Sequence, residues 1–153
     1  MLRRAFLFLL FGALVVPVAA SGPDVSQTAA MAAVEGKSLT WTDLDIPGFA
    51  KGLKLAAVHG DPNAADAAYT IRLKFPSAYV FPPHYHPKAE NLTVLSGTFM
   101  LGHGAKADKA GLKTYAPGDF LHIPATMPHY GQVKGETVVQ LHGVGPFEVI
   151  LAK

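Results

Sequence analysis

The chain has 153 residues, enough for one domain with a real core but hardly for two. Half of it is apolar, which argues against disorder, and the absence of cysteine excludes disulfides, lipoprotein attachment and thiolate metal sites. Without Arg3 and Arg4, which belong to a removable leader, eleven basic residues face eleven acidic ones. No basic cluster survives, so nothing points to nucleic acid.

Residues 1–20 have the parts of an export signal: Arg3 and Arg4, an apolar run from Ala5 to about Val16, then Val18 and Ala20 before cleavage after Ala20. Pro17 stops the run short of the roughly 20 residues a membrane-spanning helix needs, which favours a cleaved signal over an uncleaved anchor. The greasy run and the lack of polar flanks favour the general secretory route over the twin-arginine one. The expected location is periplasmic or secreted, with no membrane partner after cleavage. Residues 21–37, with the alanine-rich "SQTAAMAAVEG", form a short N-terminal arm, either helical or loose. A single domain, 38–153, follows.

In that domain short apolar runs alternate with Pro/Gly turn signals, the pattern of a sandwich or barrel of short strands. Predicted strands are Leu39–Thr42, Leu53–His59, Ala68–Phe75, Tyr79–Tyr85, Asn91–Leu101, Leu112–Tyr115, Phe120–Ile123, His129–Lys134, Thr137–His142 and Phe147–Leu151. The clearest alternation is "YTIRLKF", with Tyr69, Ile71, Leu73 and Phe75 on one face and Thr70, Arg72 and Lys74 on the other. The fold class is all-β.

The stretch "FPPHYHPKAEN", Phe81 to Asn91, carries the chemistry. Residues two apart on a strand share a face, so His84 and His86 project together. Pro82, Pro83 and Pro87 make the segment poor at sheet pairing and stiffen a rim. Glu90 opens the next strand in phase with Leu92 and Val94, which places its carboxylate on the apolar face. A buried carboxylate costs several kcal/mol unless compensated, and a cation shared with two imidazoles would compensate it. A fourth group comes from "APGDFLHIPATMPHYG". Here a turn at Gly118-Asp119, a strand ending at Ile123-Pro124, and Pro128 bring His129 back towards the same end.

On these residues the chain resembles the cupin superfamily. The first motif of that family, G(x)5HxH(x)3-4E(x)6G, matches His84, His86, Glu90 and Gly97, with Ala78 where glycine would stand. The second, G(x)5PxG(x)2H(x)3N, matches Gly118, Pro124 and His129, with Thr126 in place of glycine and Val133 in place of asparagine. Twenty residues, Thr98 to Pro117, separate the motifs, as in compact single-domain bacterial cupins. The resemblance spans roughly Leu53 to Leu151. It implies a double-stranded β-helix, or jelly-roll barrel, that is commonly a homodimer. It also implies His84, His86, Glu90 and His129 as ligands to one divalent transition metal: Mn, Fe, Ni, Cu or Zn rather than Ca or Mg. Such a set leaves coordination positions open for a small molecule.

Among the other histidines, His59 and His103 lie in turn or glycine-rich loop sequences and read as exposed. His122 and His142 sit on apolar strands, where a hydrogen-bonded structural role is the default. Gln140 and His142 share a face, so their strand is a candidate cavity wall, and Tyr69 could place a phenol near the site. Asp119 reads as a turn residue. The functional expectation is an exported metalloenzyme with a 3-His/1-Glu centre acting on a small oxygenated molecule. Oxidoreductase chemistry of the dioxygenase type is favoured, with lyase or isomerase chemistry as variants. The competing expectation is a non-catalytic module that holds a metal or a small ligand for sensing or storage.

Overall fold

A computed structural model describes residues 31–153. The predicted export signal and most of the arm lie outside the described residues; within the arm's last part, Gly36–Ser38 form one 3-10 turn. Eleven strands follow in chain order: β1 Thr42–Asp43, β2 Lys54–His59, β3 Ala68–Phe75, β4 Val80–Tyr85, β5 Glu90–Ser96, β6 Phe99–His103, β7 Lys113–Tyr115, β8 Phe120–Ile123, β9 His129–Val133, β10 Thr137–Val144 and β11 Ile150–Leu151. They make two antiparallel sheets, one in the order β1-β2-β3-β10-β5-β8 and one in the order β11-β4-β9-β6-β7. Chain neighbours such as β4 and β5 fall in different sheets. The chain therefore winds back and forth between two facing layers, as a jelly-roll barrel does.

The period-two pattern of β3 is realised. Tyr69, Ile71, Leu73 and Phe75 are buried between the sheets, while Thr70, Arg72 and Lys74 are half-buried on the outside. Facing them across the layer are Phe81, Phe99 and Val133, with Phe81 and Phe99 stacked at 5.6 Å between ring centroids. Fourteen buried side chains form this one core, so the barrel interior is filled over most of its length.

Three predicted strands change. Asn91–Leu101 is two strands, because Gly97 takes φ +81° and a side chain there would run into Thr137 and the Glu136 carbonyl. That tight turn sends β6 into the opposite sheet. Leu39–Thr42 pairs only from Thr42, and Phe147–Leu151 pairs only at Ile150 and Leu151, because residues on either side cover the barrel end instead of extending a sheet. The prolines also behave differently from expectation. Pro82 and Pro83 lie inside β4, which pairs with β9 at Val80, Phe81 and His84 and with β11 at His84 and Tyr85. The register with β9 slips by one residue between Phe81 and His84, a bulge that falls on the two residues lacking an N–H.

Two departures from the resemblance motif are visible in the backbone. Ala78 and Thr126 each sit at φ +60° in a turn closed by a hydrogen bond, Tyr79 N–H to Pro76 O (3.2 Å) and Met127 N–H to Pro124 O (3.3 Å). Side chains are disfavoured in this left-handed region, a β-branched one most of all. Thr126→Gly and Ala78→Gly should therefore each stabilise the fold by about 0.5–1 kcal/mol, with Thr126→Gly the larger gain. Urea unfolding of the two variants beside the parent checks this, and a loss of stability in both would contradict it.

Candidate metal centre

His84 and His86 come from β4, Glu90 is the first residue of β5, and His129 is the first residue of β9. The bulge matters here. Counting by twos from inward-facing Phe81 would turn Pro83 and Tyr85 into the barrel. The extra residue resets the phase, so His84 and His86 face inward instead. His84 and His129 are direct cross-strand partners, with ring centroids 4.2 Å apart. His86 lies 5.1 Å from His84 and 5.2 Å from His129 by the same measure. All four side chains are at most 6% exposed.

Each imidazole is held by its Nδ1. That atom donates to Pro82 O at 2.8 Å in His84, to Glu148 O at 2.7 Å in His86 and to Met127 O at 3.1 Å in His129. A carbonyl oxygen can only accept, so each neutral ring must carry its proton on Nδ1 and present the Nε2 lone pair to the centre. Fixing a ring in this way is how metal-bound histidines are oriented. The ligand atoms of the three histidines all lie within 4.8 Å of one another. Glu90 Oε2 stands 3.2 Å from His86 Nε2 and 3.8 Å from His129 Nε2. Three imidazole lone pairs and a carboxylate thus converge on one point, and a divalent cation fits this donor set.

Burial sets the electrostatics. It pushes the Glu90 carboxyl up to about 8. It lowers His84 to about 3 and His86 to about 4, and each is lowered further by the neighbouring His129; His129 itself is lowered by burial. The site favours neutral rings and, without a cation, a protonated acid.

Aromatic side chains flank the site. Phe49 meets His84 edge-on at 5.0 Å, and Phe147 stacks on His86 at 5.4 Å and 18°. With Ile46 and Val149 they cover a cavity of about 40 Å³, measured as room for the centre of a water-sized sphere. That space suits an ion and a few waters. The covering residues and the Glu148 carbonyl were not singled out in the sequence, where nothing but isolated aromatics in loops marks them.

The structure does not bring the other candidates to this point. Gln140 and His142 lie on the outer face of β10; it is Val139 and Leu141 that face the cavity. Gln140 Oε1 accepts from Arg72 Nε at 3.1 Å, and exposed His142 stacks on Phe120 at 6.4 Å. The expected cavity wall has the opposite phase: Thr137, Val139 and Leu141 are buried, while Val138 shares the outer face with Gln140 and His142. Tyr69 is buried behind Phe147, 6.0 Å away, and burial together with the Glu90 charge pushes its phenol up to about 12. It packs rather than reacts. His59 and His122 are exposed, and His122 Nδ1 pairs with Asn91 Oδ1 at 2.9 Å. Asp119 is a turn residue as expected, accepting from Ala116 N–H at 2.8 Å. His103 is exposed but ends β6 directly opposite His129, a position its loop-like sequence does not reveal.

Fold and site together define an all-β barrel with a three-histidine centre able to bind a metal ion. Residues 73–145 match the family model of the cupin domain, Cupin_2. No curated protein sequence matches significantly. Among solved structures, the polyketide cyclase RemF from Streptomyces resistomycificus is similar, with TM-score 0.66 and 21% identity over 81% of this chain and 87% of that one. KdgF from a Halomonas species gives TM-score 0.56 and 18% identity over 76% and 96%. The DMSP lyase DddQ from Ruegeria pomeroyi gives 0.56 and 20% over 76% and 62%. At these identities the likeness concerns the fold. The family match covers just under half of the chain, and the fold is the jelly-roll barrel that these neighbours share.

The ionisation of the site gives the metal-free protein a distinctive pH profile. Glu90, raised from 4.5 to about 8, confers stability that is complete below pH 4.5 and lost as pH climbs through 8. His84 and His86, depressed from 6.5, confer stability that is complete above pH 6.5 and lost as pH falls towards 4 and 3. Between 4.5 and 6.5 the histidines outnumber the acid; above 6.5 the acid acts alone. Chelator-treated protein should therefore melt highest near pH 6.5 and at a lower temperature by pH 8, a decline that Glu90→Gln removes. A flat or rising melting temperature from pH 6.5 to 8 in the chelated parent would refute this.

Proposed function

We propose that the chain is an exported metalloenzyme of the periplasm or extracellular space. His84, His86, Glu90 and His129 would hold one divalent transition metal and act on a small oxygenated molecule. The observation that carries this reading is the lock on all three rings of one buried cluster by Nδ1 bonds to backbone carbonyls, with Nε2 of His86 and of His129 at 3.2 and 3.8 Å from the Glu90 carboxylate. The export signal in residues 1–20 supports the location.

A bound ion would supply Lewis-acid or redox chemistry at the open side of its coordination sphere. The protein's own part is positional and electrostatic. Backbone carbonyls of Pro82, Met127 and Glu148 orient the imidazoles, and burial keeps them neutral. Glu90 contributes the one negative charge. Phe49 and Phe147 exclude water, which strengthens every interaction inside. Oxidoreductase chemistry of the dioxygenase type is the favoured reaction class, with lyase or isomerase chemistry open to the same ligand set.

A second reading, a non-catalytic metal-holding module, draws on the small volume of the cavity, which fits an ion better than a substrate. Two experiments decide. His86→Ala and His129→Ala should each abolish stoichiometric metal, measured by elemental analysis of protein purified from its own envelope without chelators, while circular dichroism shows a folded barrel. Undiminished metal in both variants would sink the ligand assignment. Oxygen uptake or product formation by the loaded protein, offered small hydroxy acids, keto acids and phenols, supports the enzyme reading. Stoichiometric binding without turnover across that panel favours the module.

A further inference from the structure

The cavity at the metal centre is not the largest space among the described residues. A second, half-open cleft of about 270 Å³ lies between β7 and β8, the unpaired edges of the two sheets. The two spaces share one wall, built from Leu101, Ile123 and His129, each of which lines both. A molecule in the cleft would therefore be separated from the metal ligands by only those three side chains.

Register assigns the groups that face the cleft. On β6 and β7, Leu101 pairs with Lys113 and Phe99 with Tyr115; on β6 and β9, His103 pairs with His129. Cross-strand partners point to the same side of a sheet. Because Phe99 and His129 are buried between the layers, Lys113, Tyr115 and His103 share that inner face. From β8, Leu121 and Ile123 turn inward, whereas Phe120 and His122 turn out towards His142 and Asn91.

The cleft thus offers an apolar floor with an ammonium group and an imidazole at its rim. No Asp or Glu lines it. Asp108, beside the turn that borders the cleft, is engaged by Ala110 N–H at 2.9 Å. Among the described residues no carboxylate pairs with Lys113, a state it shares with Lys74, Lys106, Lys109, Lys134 and Lys153, but of these six only Lys113 lines the cleft. An ammonium left unpaired over an apolar floor matches one ligand chemistry: a small organic anion with an apolar body.

We infer that this cleft is the substrate site, that it takes a small carboxylic acid with an apolar or aromatic body, and that Lys113 and His103 bind the carboxylate while Leu101 and Ile123 gate the way to the metal. The inference deepens the proposed metalloenzyme reading and rests on it for the link to the metal, but not for the cleft itself.

Benzoate is the probe, with benzylamine as its cationic counterpart of the same shape. Titration followed by NMR should show saturable benzoate binding to the metal-free protein, at least tenfold weaker in Lys113→Glu, weakened in His103→Ala, and no comparable binding of benzylamine. In Mn-loaded protein, relaxation of the bound benzoate protons should rise well above that in Zn-loaded protein. Benzoate binding that is absent, equal in Lys113→Glu or matched by benzylamine overturns the site. Lys113-dependent binding without extra relaxation, in protein shown by elemental analysis to carry its Mn, overturns the link to the metal while leaving the metal centre standing. Failure of the parent to bind any metal defeats the metalloenzyme reading instead, and the metal-free titration still decides the cleft.

Discussion

Three imidazole nitrogens and a buried carboxyl group cluster at the end of this barrel. His84, His86 and His129 each commit their N–H to a backbone carbonyl, which leaves Glu90 as the one group there able to bring a proton. Lone pairs 3.2 and 3.8 Å apart in a buried space repel when the acid is ionised. A proton on Glu90 relieves only part of this, since one O–H can serve one nitrogen, and burial moves the acid in that direction without removing the crowding. A divalent cation would satisfy all four at once. The carbonyls that lock the rings, the aromatic side chains beside them and the strand ends that meet there all suit that role.

The bulge at Pro82-Pro83 is the backbone device that makes convergence geometrically feasible. A strand with unbroken alternation could present Phe81 to the core or His84 to the metal, but not both, because they are three residues apart. One extra residue in β4 permits both. Prolines are well chosen for it, since the ladder lacks bonds at that point anyway and a missing N–H costs nothing there. The Pro83 carbonyl still accepts from Ala152 N–H at 2.9 Å, which ties the C-terminal residues alongside. That tie helps keep the segment carrying Glu148 and Phe147 close to His86.

This explains what was and was not legible in the sequence. The four converging residues could be read because their chemistry is unusual for their setting: an HxH pair, an acid in phase with Leu92 and Val94, and a histidine after a proline turn. The prolines were legible as a disturbance but not as a change of phase, which only the partner strand β9 defines. Gln140 and His142 were misplaced for a similar reason. Val138 and Val139 sit side by side where β10 slips register against β5, so neither phase of the strand looks apolar enough to decide. The cover from Ile46, Phe49 and Phe147 was illegible because long-range contact, not local pattern, puts those residues over the site. His103 is the instructive case. Its neighbours Gly102 and Gly104 look like a loop, yet Gly102 is there because Tyr130 occupies the space a side chain would need, and β6 continues through it to His103.

Charge balance links the centre to its surroundings. Three neutral imidazoles and one carboxylate would leave a bound divalent ion with one positive charge in excess, in a barrel whose remaining lining is apolar. Excess charge in such a setting is costly, and an arriving monoanion lowers that cost where a neutral or cationic molecule does not. The aromatic cover over the metal offers an anion no polar path, because Ile46, Phe49, Phe147 and Val149 present hydrocarbon. Among the described residues lining the two spaces, the one ammonium, Lys113, stands on the other side of the shared wall of His129, Leu101 and Ile123, on the inner face of the β6–β7 sheet edge. Field and access therefore favour the same direction of approach, and the fold leaves that side open because β7 and β8 end their sheets there without pairing across the gap.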